Sequence, residues 1–301
     1  MNAQLFVLAV LDGISYAALL FLVALGLTLI FGVMRILNIA HGSLYAVGGY
    51  TAATFGIAIA KYDLPSWLSL PALFAAAVVV GVVLGAAMEF ALLRRILDKD
   101  PILQLLVTFA AFMIIEDLQR LIWGVQPYFV SEVVNQLGTA SVAGITYTRY
   151  QLFVLPLVAL AALFLLRWFL GRTALGRQIS AVTHHREVAT AMGVNAAKVS
   201  LLTFIIGAAL GALGGALASP TTSLLPGVGA EMIVLSFAVV ATAGLGQIGG
   251  AMIAALMIGL ARSFAVYLAP ELEVLAPYFI MVVVLLVRPR GLFASAETRS
   301  I

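Results

Sequence analysis

Two polar interruptions in an otherwise apolar chain carry side chains that could do chemistry. The first is Asn38-Ile39-Ala40-His41-Gly42-Ser43, preceded by Arg35. Amide and imidazole groups both donate and accept hydrogen bonds, which suits a zwitterionic solute or a polar gate. Asn38 and His41 stand i, i+3 and share one face if the segment is helical. A break inside a membrane helix must face protein or water, because lipid cannot satisfy the freed backbone groups. We therefore read Asn38, His41, Gly42 and Ser43 as lining or gating a solute route. The plainer alternative is that they satisfy the broken backbone and hold this helix against its neighbour.

The second interruption runs from Gly171 to Lys198 and carries Arg172, Arg177, His184, His185, Arg186, Glu187 and Lys198. Glu187, Ala189, Ala191 and Met192 favour a helix, and Gly193 is a natural stop for one. Val188, Ala191 and Met192 at i, i+3, i+4 form a small apolar face. A short amphipathic helix over 186–198, held in a water-facing loop, is a docking element for another protein. Read plainly, it is a connecting loop kept on one side of a membrane by its positive charge. A further Gly-rich break, Ala243-Gly244-Leu245-Gly246-Gln247-Ile248-Gly249-Gly250, lies in the second half of the chain. Paired broken segments suggest internal duplication with a pathway between the halves.

None of this is catalytic machinery. No phosphate-binding G-x-x-x-x-G-K-[ST] run occurs, since the lysines stand only at 61, 99 and 198 and none follows a glycine. No H-E-x-x-H and no G-x-S-x-G occurs, cysteine is absent, and the three histidines are His41, His184 and His185. No catalytic residue, metal site or directly bound cofactor is expected. A charge at mid-membrane costs roughly 2.5–3.5 kcal/mol on insertion scales, so each intramembrane acid needs a role. Glu89 is expected to snorkel towards Arg94 and Arg95. Glu116 and Asp117 are expected to pair with Arg120 along one helix face. Asp12 lies shallow on the outer side.

These groups must be positioned by membrane helices. Hydrophobic residues make up 63% and charged residues 10% of the chain, against about 25% charged in a soluble domain. The net charge of +3 with no basic stripe gives no case for nucleic acid. The N-terminal run lacks a positive leader and is too long for a signal peptide, so it is expected to be retained. Apolar runs cover residues 5–34, 36–60, 66–93, 101–124, 150–170, 199–218, 233–247, 248–268 and 274–288. The expected fold is therefore all-α and polytopic, with eight or nine transmembrane helices in one transmembrane domain, 1–301. The segment 125–149 is too polar to insert and is expected outside.

Arg94, Arg95, Lys99, the central loop 171–198 and Arg288 with Arg290 fall on one side, while the opposite loops carry few positive charges. The positive-inside rule then puts the central loop and C-terminus in the cytoplasm and the N-terminus outside. It also puts the 38–43 turn near the cytoplasmic end. Trp67 and Trp123 fall near the outer interface and Trp168 near the inner one. Gly207, Gly211 and Gly215 recur every four residues, a stripe that lets helices approach closely in lipid.

Four stretches carry a family resemblance. They are GLTLIFGVMRILNIAHGSLYAVGGY (26–50), GRQISAVTHHREVATAMGVNAAKVSLLTFIIGAALGALGGALA (176–218), VVATAGLGQIGGAMIAALMIGL (239–260) and VRPRGLF (287–293). In this order they resemble the branched-chain amino acid ABC importer permeases of the LivH type. The chain departs from that family in carrying His184-His185 where acidic residues are expected ahead of the coupling helix. The resemblance implies a pore of two permease subunits, this chain with a longer LivM-like relative or a second copy. Two cytoplasmic ATPase subunits would carry ATP and Mg and bind coupling helices at Arg186, Glu187, Ala189, Met192 and Gly193. A periplasmic binding protein would deliver substrate, and the setting is the bacterial inner membrane. Relatives that carry urea, amides or organic acids keep those substrates open. An ion-gradient-driven transporter is the alternative class, with His41 as its interior coupling candidate.

Overall fold

The computed structural model describes residues 3–293; the last of the polar tail expected after Arg288 lies outside them. Helix α1 (Ala3–Met34) is the axis of the molecule, and every residue from Ala17 to Ile30 is buried. A helix apolar on all sides belongs in the core. At about 1.5 Å per residue its 32 residues span about 48 Å, longer than a hydrocarbon core of about 30 Å.

Helices α2 (His41–Lys61) and α3 (Ser69–Met88) follow. A π-helical turn, Glu89–Leu93, carries α3 on into α4 (Arg94–Ile96). Helix α5 (Pro101–Trp123) starts where Asp100 Oδ1 accepts the Ile102 N–H at 2.8 Å, with proline at its first position. The polar segment 125–149 folds as α6 (Glu132–Leu137) and a hairpin of β1 (Thr139–Val142) and β2 (Ile145–Thr148). Its turn residues Ala143 and Gly144 both have positive φ, 51° and 80°, as a tight two-residue turn demands. This hairpin corrects the all-α expectation. Then come α7 (Leu155–Arg172), α8 (Ala174–His184), α9 (Arg186–Ala191), α10 (Ala196–Ala218), α11 (Val228–Ala243), α12 (Ile248–Leu268) and α13 (Leu275–Val287).

Among the described residues, seven helical stretches are long and apolar enough to cross a membrane, and the two shorter apolar helices are α11 and α13. Val78, Val82 and Val83 on α3, Ile102, Ile114 and Leu121 on α5, and Phe164 and Leu165 on α7 are exposed. An outer surface of this kind belongs in hydrocarbon, and the chain is a multi-pass membrane protein. The second apolar run differs from its expected form: residues 35–40 are irregular and α2 starts only at His41. The run 233–247 is displaced too, because α11 begins at Val228 and stops at Gly244, φ 103°.

Among the intramembrane acids, Arg120 pairs with Glu116 at 2.5 Å and with Asp117 at 3.2 Å. Glu89 does not snorkel. It is 1% exposed, and neither carboxylate oxygen has a hydrogen-bond partner among the described residues. Trp67 and Trp168 are exposed, whereas Trp123 donates to Thr54 Oγ1 at 2.8 Å and stacks on Tyr50.

Helix α10 lies against α1, α2 and α3 through residues without side chains. A methyl group at Gly207 would meet Ile30 and the Gly26 carbonyl of α1, and one at Gly215 would strike the Tyr45 carbonyl of α2. Gly81 of α3 likewise abuts Ala209. Gly215→Ala is expected to cost about 1–3 kcal/mol by overpacking. Gly32, with nothing within 4 Å of an added methyl, is expected to gain up to ~1 kcal/mol as alanine. Thermal unfolding in detergent measures both, and matching melting temperatures would contradict this packing.

Candidate functional site

The entry to α2 lies deep in the protein. His41 is fully buried, and its Nε2 lies 3.1 Å from the Val23 carbonyl of α1. A methyl group added at Gly26 or at Gly211 would run into the imidazole, so the ring occupies a slot that those two glycines leave open. Gly26 stands eight residues before the end of α1 at Met34, about 12 Å at the helical rise. The chain therefore turns at Arg35 and climbs back beside α1 through residues 36–40. Arg35 makes the reversal with a left-handed backbone, φ 56°.

The first N–H groups of α2 are satisfied by backbone. Those of His41, Gly42 and Ser43 reach the carbonyls of Asn38, Ile39 and Ala40 at 3.2, 3.2 and 3.1 Å. Side chains do not make these bonds, which corrects the reading that Asn38, His41, Gly42 and Ser43 satisfy the broken backbone. Only Asn38 lies in the break itself; His41, Gly42 and Ser43 form the first turn of α2. Asn38 is fully buried with neither amide atom partnered among the described residues, and the same holds for His41 Nδ1 and Ser43 Oγ. Gly42 abuts the Gly229 carbonyl of α11, and Gly229 abuts the Gly42 carbonyl in return. Two helix N-termini, of α2 and α11, thus meet inside the bundle. Partial positive charge gathers where such ends converge.

The loop 171–198 forms two short helices meeting at His185. Thr173 caps α8, its Oγ1 accepting the Gly176 N–H at 2.9 Å. Ile179, Val182 and Ala189 are buried in the same apolar cluster as Ala40, Leu44 and Phe204. The expected helix over 186–198 is shorter, ending at Ala191. It closes in a Schellman turn: the Val194 and Gly193 N–H groups reach the Ala189 and Thr190 carbonyls, each at 3.0 Å. Gly193 takes the left-handed conformation this turn requires, φ 88°. Asn195 then caps α10 by accepting the Lys198 N–H at 3.0 Å.

Of the residues assigned to docking, Ala189 faces inward at 6% exposed, while Val188 and Met192 stand out at 60% and 82%. Glu187 is exposed and Arg186 half-buried. Helix α8 was not foreseen. Its signals were present in the Thr173 cap and in the i, i+3 spacing of Gly176, Ile179 and Val182.

His41→Ala opens a hole beside two glycines and is expected to cost about 2 kcal/mol or more. Asn38→Ala removes an amide that has no partner to lose, so its stability should stay within ~1 kcal/mol of wild type. Melting curves paired with uptake assays check this, and a stable His41→Ala with wild-type uptake would refute the slot.

The sequence model described as "Branched-chain amino acid transport system / permease component" matches residues 9–285. The permease LivH of the high-affinity branched-chain amino acid transport system of Salmonella typhimurium is 25% identical over 296 residues, 96% of each chain. BraD of the corresponding system in Pseudomonas aeruginosa is also 25% identical, again over 96% of each. A probable LivH of Methanocaldococcus jannaschii is 28% identical over 86% of this chain and 81% of its own. A solved structure of PsaBC from Streptococcus pneumoniae in complex with Fab aligns over 96% of this chain and 94% of that one, at 15% identity and a TM-score of 0.49, too distant to bear on the fold. With nearly its whole length inside that model, the chain belongs to the permease component family of branched-chain amino acid transport systems and is a transport subunit, not an enzyme.

Proposed function

We propose that this chain is one membrane-spanning subunit of an ATP-driven importer for branched-chain amino acids in the bacterial inner membrane. The family membership is what supports an importer permease, and the relatives' names support the substrate class. They do not favour an ion-gradient-driven transporter. The observation that carries the coupling role is the pair Val188 and Met192. They are large apolar side chains one helical turn apart, exposed at 60% and 82% on a capped loop helix. A water-facing loop has no lipid to cover them, so a partner protein does.

In this reading α9, with Arg186, Glu187, Val188, Met192 and the Gly193 turn, seats in a groove on an ATPase subunit. Two such ATPases bind the nucleotide and its metal. A second permease subunit, LivM-like or another copy of this chain, completes the pore, and a periplasmic binding protein supplies substrate. Nine crossings follow if α11 and α13 each count as one, with the N-terminus outside and the C-terminus cytoplasmic. The α2 entry, with Asn38 beside the meeting N-termini of α2 and α11, is the gate.

The ATPase is expected to co-purify with the wild-type subunit. Met192→Glu combined with Val188→Glu should cut leucine uptake by tenfold or more and release the ATPase, at unchanged membrane insertion. Full uptake by the double variant would remove the coupling role. Cysteines placed singly at Thr183 and Asn135 of this cysteine-free chain settle sidedness. Thr183→Cys should react with impermeant thiol reagents only from the cytoplasm, and Asn135→Cys only from outside. The reverse pattern would invert the topology.

A further inference from the structure

At the end of the bundle where α1 starts and α12 finishes, a cavity of about 200 Å³ is lined by Asp12, Tyr16 and Leu19 of α1, Leu155 of α7, and Arg262 and Val266 of α12, among others. A larger depression of about 370 Å³ between α2 and α3 is lined by apolar residues and one proline, and offers nothing to recognise a polar solute. The smaller cavity sits below the ~300–1,000 Å³ of drug-sized sites and suits a smaller ligand.

Its charged groups are held in place and only partly used. Asp12 Oδ1 accepts the Tyr147 hydroxyl at 2.7 Å, and Oδ2 accepts the Tyr267 hydroxyl. A carboxylate offers about four acceptor positions, so two remain. The Arg262 guanidinium lies over the Tyr16 ring, 4.1 Å from its centroid. Its contacts with Glu273, at 2.7 Å, and Glu231, at 3.6 Å, both use Nη2. The donors on Nε and Nη1 make no hydrogen bond among the described residues. Asp12 and Tyr16 are one turn apart on α1, and the Arg262 cation stacked on Tyr16 lines the same cavity as the Asp12 anion. Between and around them stand Leu19, Leu155 and Val266.

We propose that this cavity is a binding subsite for an α-amino acid with an aliphatic side chain. Arg262 receives the carboxylate through its free donors, the fork geometry for which arginine is suited. Asp12 receives the ammonium group, and the two tyrosines that hold its carboxylate fix its direction. Leu19, Leu155 and Val266 take the side chain. The aliphatic preference rests on the importer reading, and the topology proposed for it puts the cavity at the outer face. There it would meet a solute before the α2 entry does.

The test is equilibrium binding to the purified permease–ATPase complex without binding protein. The three probes are L-leucine, L-leucinamide, which lacks the carboxylate, and 4-methylpentanoate, which lacks the ammonium group. Wild type should bind leucine at least tenfold tighter than either analogue. R262Q should weaken leucine at least tenfold and leave leucinamide unchanged. D12N should do the same and leave 4-methylpentanoate unchanged. V266W adds bulk to the cavity without touching an ion pair, and should abolish binding of all three even if the polar variants do not fold. No saturable leucine binding to wild type, or wild-type affinity in V266W, overturns the subsite. Leucine uptake by cells carrying the full system is measured separately. Loss of the importer reading there, with leucine binding intact, leaves the subsite standing, and uptake without such binding does the opposite.

Discussion

In a bilayer, apolar side chains gain nothing by leaving lipid for one another, so helices are held by close packing and by polar bonds between them. This protein concentrates both along one line. Gly207, Gly211 and Gly215 of α10 present bare backbone to Ile30 and Gly26 of α1, to the His41 ring, and to Tyr45 of α2. Helix α3 closes the other side through Gly81 and Gly85. At Gly215 the contact is backbone with backbone, so no rotamer change can relieve an added methyl there. The position of α2, and with it the depth of His41, follows from the glycines of α10.

Polar side chains in this core divide into two sets. One set is spent on holding helices: Ser263 Oγ bonds the Ala9 carbonyl at 2.8 Å, Tyr150 the Leu217 carbonyl at 2.7 Å, and His41 the Val23 carbonyl. The other set has no partner among the described residues: Asn38, Ser43, Glu89, Ser200, Thr203, Ser236 and Thr242. A buried polar group without a partner costs about 1–3 kcal/mol, which a structural role alone does not repay. Asn38 and Glu89 each sit where helical geometry changes, one in the approach to α2 and the other opening a π-helical turn. Irregular turns of that kind recur at functional positions.

What the sequence discloses and what it hides follows the range of the interactions. Long apolar runs locate membrane helices because the signal is local and redundant; α5 and α12 fall within two residues of their expected bounds. The stop at Gly193 and the pairing of Arg120 with Glu116 are also local, set by one residue's φ and by i, i+4 spacing. The depth of His41 was not legible. Nothing near residue 41 says that the chain doubles back, because the slot is made by Gly26 and Gly211 on two other helices. Ala189 and Val188 show the same limit on a smaller scale. Both are adjacent apolar residues of one short helix, and only the packing of α8 and α9 onto α10 decides which of them is covered. The cavity between α1 and α12 joins Asp12 to Arg262 across most of the chain, a pairing that no local pattern announces.

The loop and the α2 entry are parts of one packed body. Ile179 and Val182 of α8 and Ala189 of α9 belong to the same buried cluster as Ala40 and Leu44, which flank His41, and as Phe204, Ala208 and Ala212 of α10. Interiors at this density transmit displacement instead of absorbing it. Each end of the path is locally stiff: α8 is fixed by its Thr173 cap, α9 by the Schellman turn at Gly193, and α10 by the Asn195 cap. A push on the exposed face of α9 therefore cannot be taken up by unwinding the loop. Ala189 packs into the same cluster as the residues that flank the entry to α2. Packed side chains thus join the loop helices to the entry of α2 without a break.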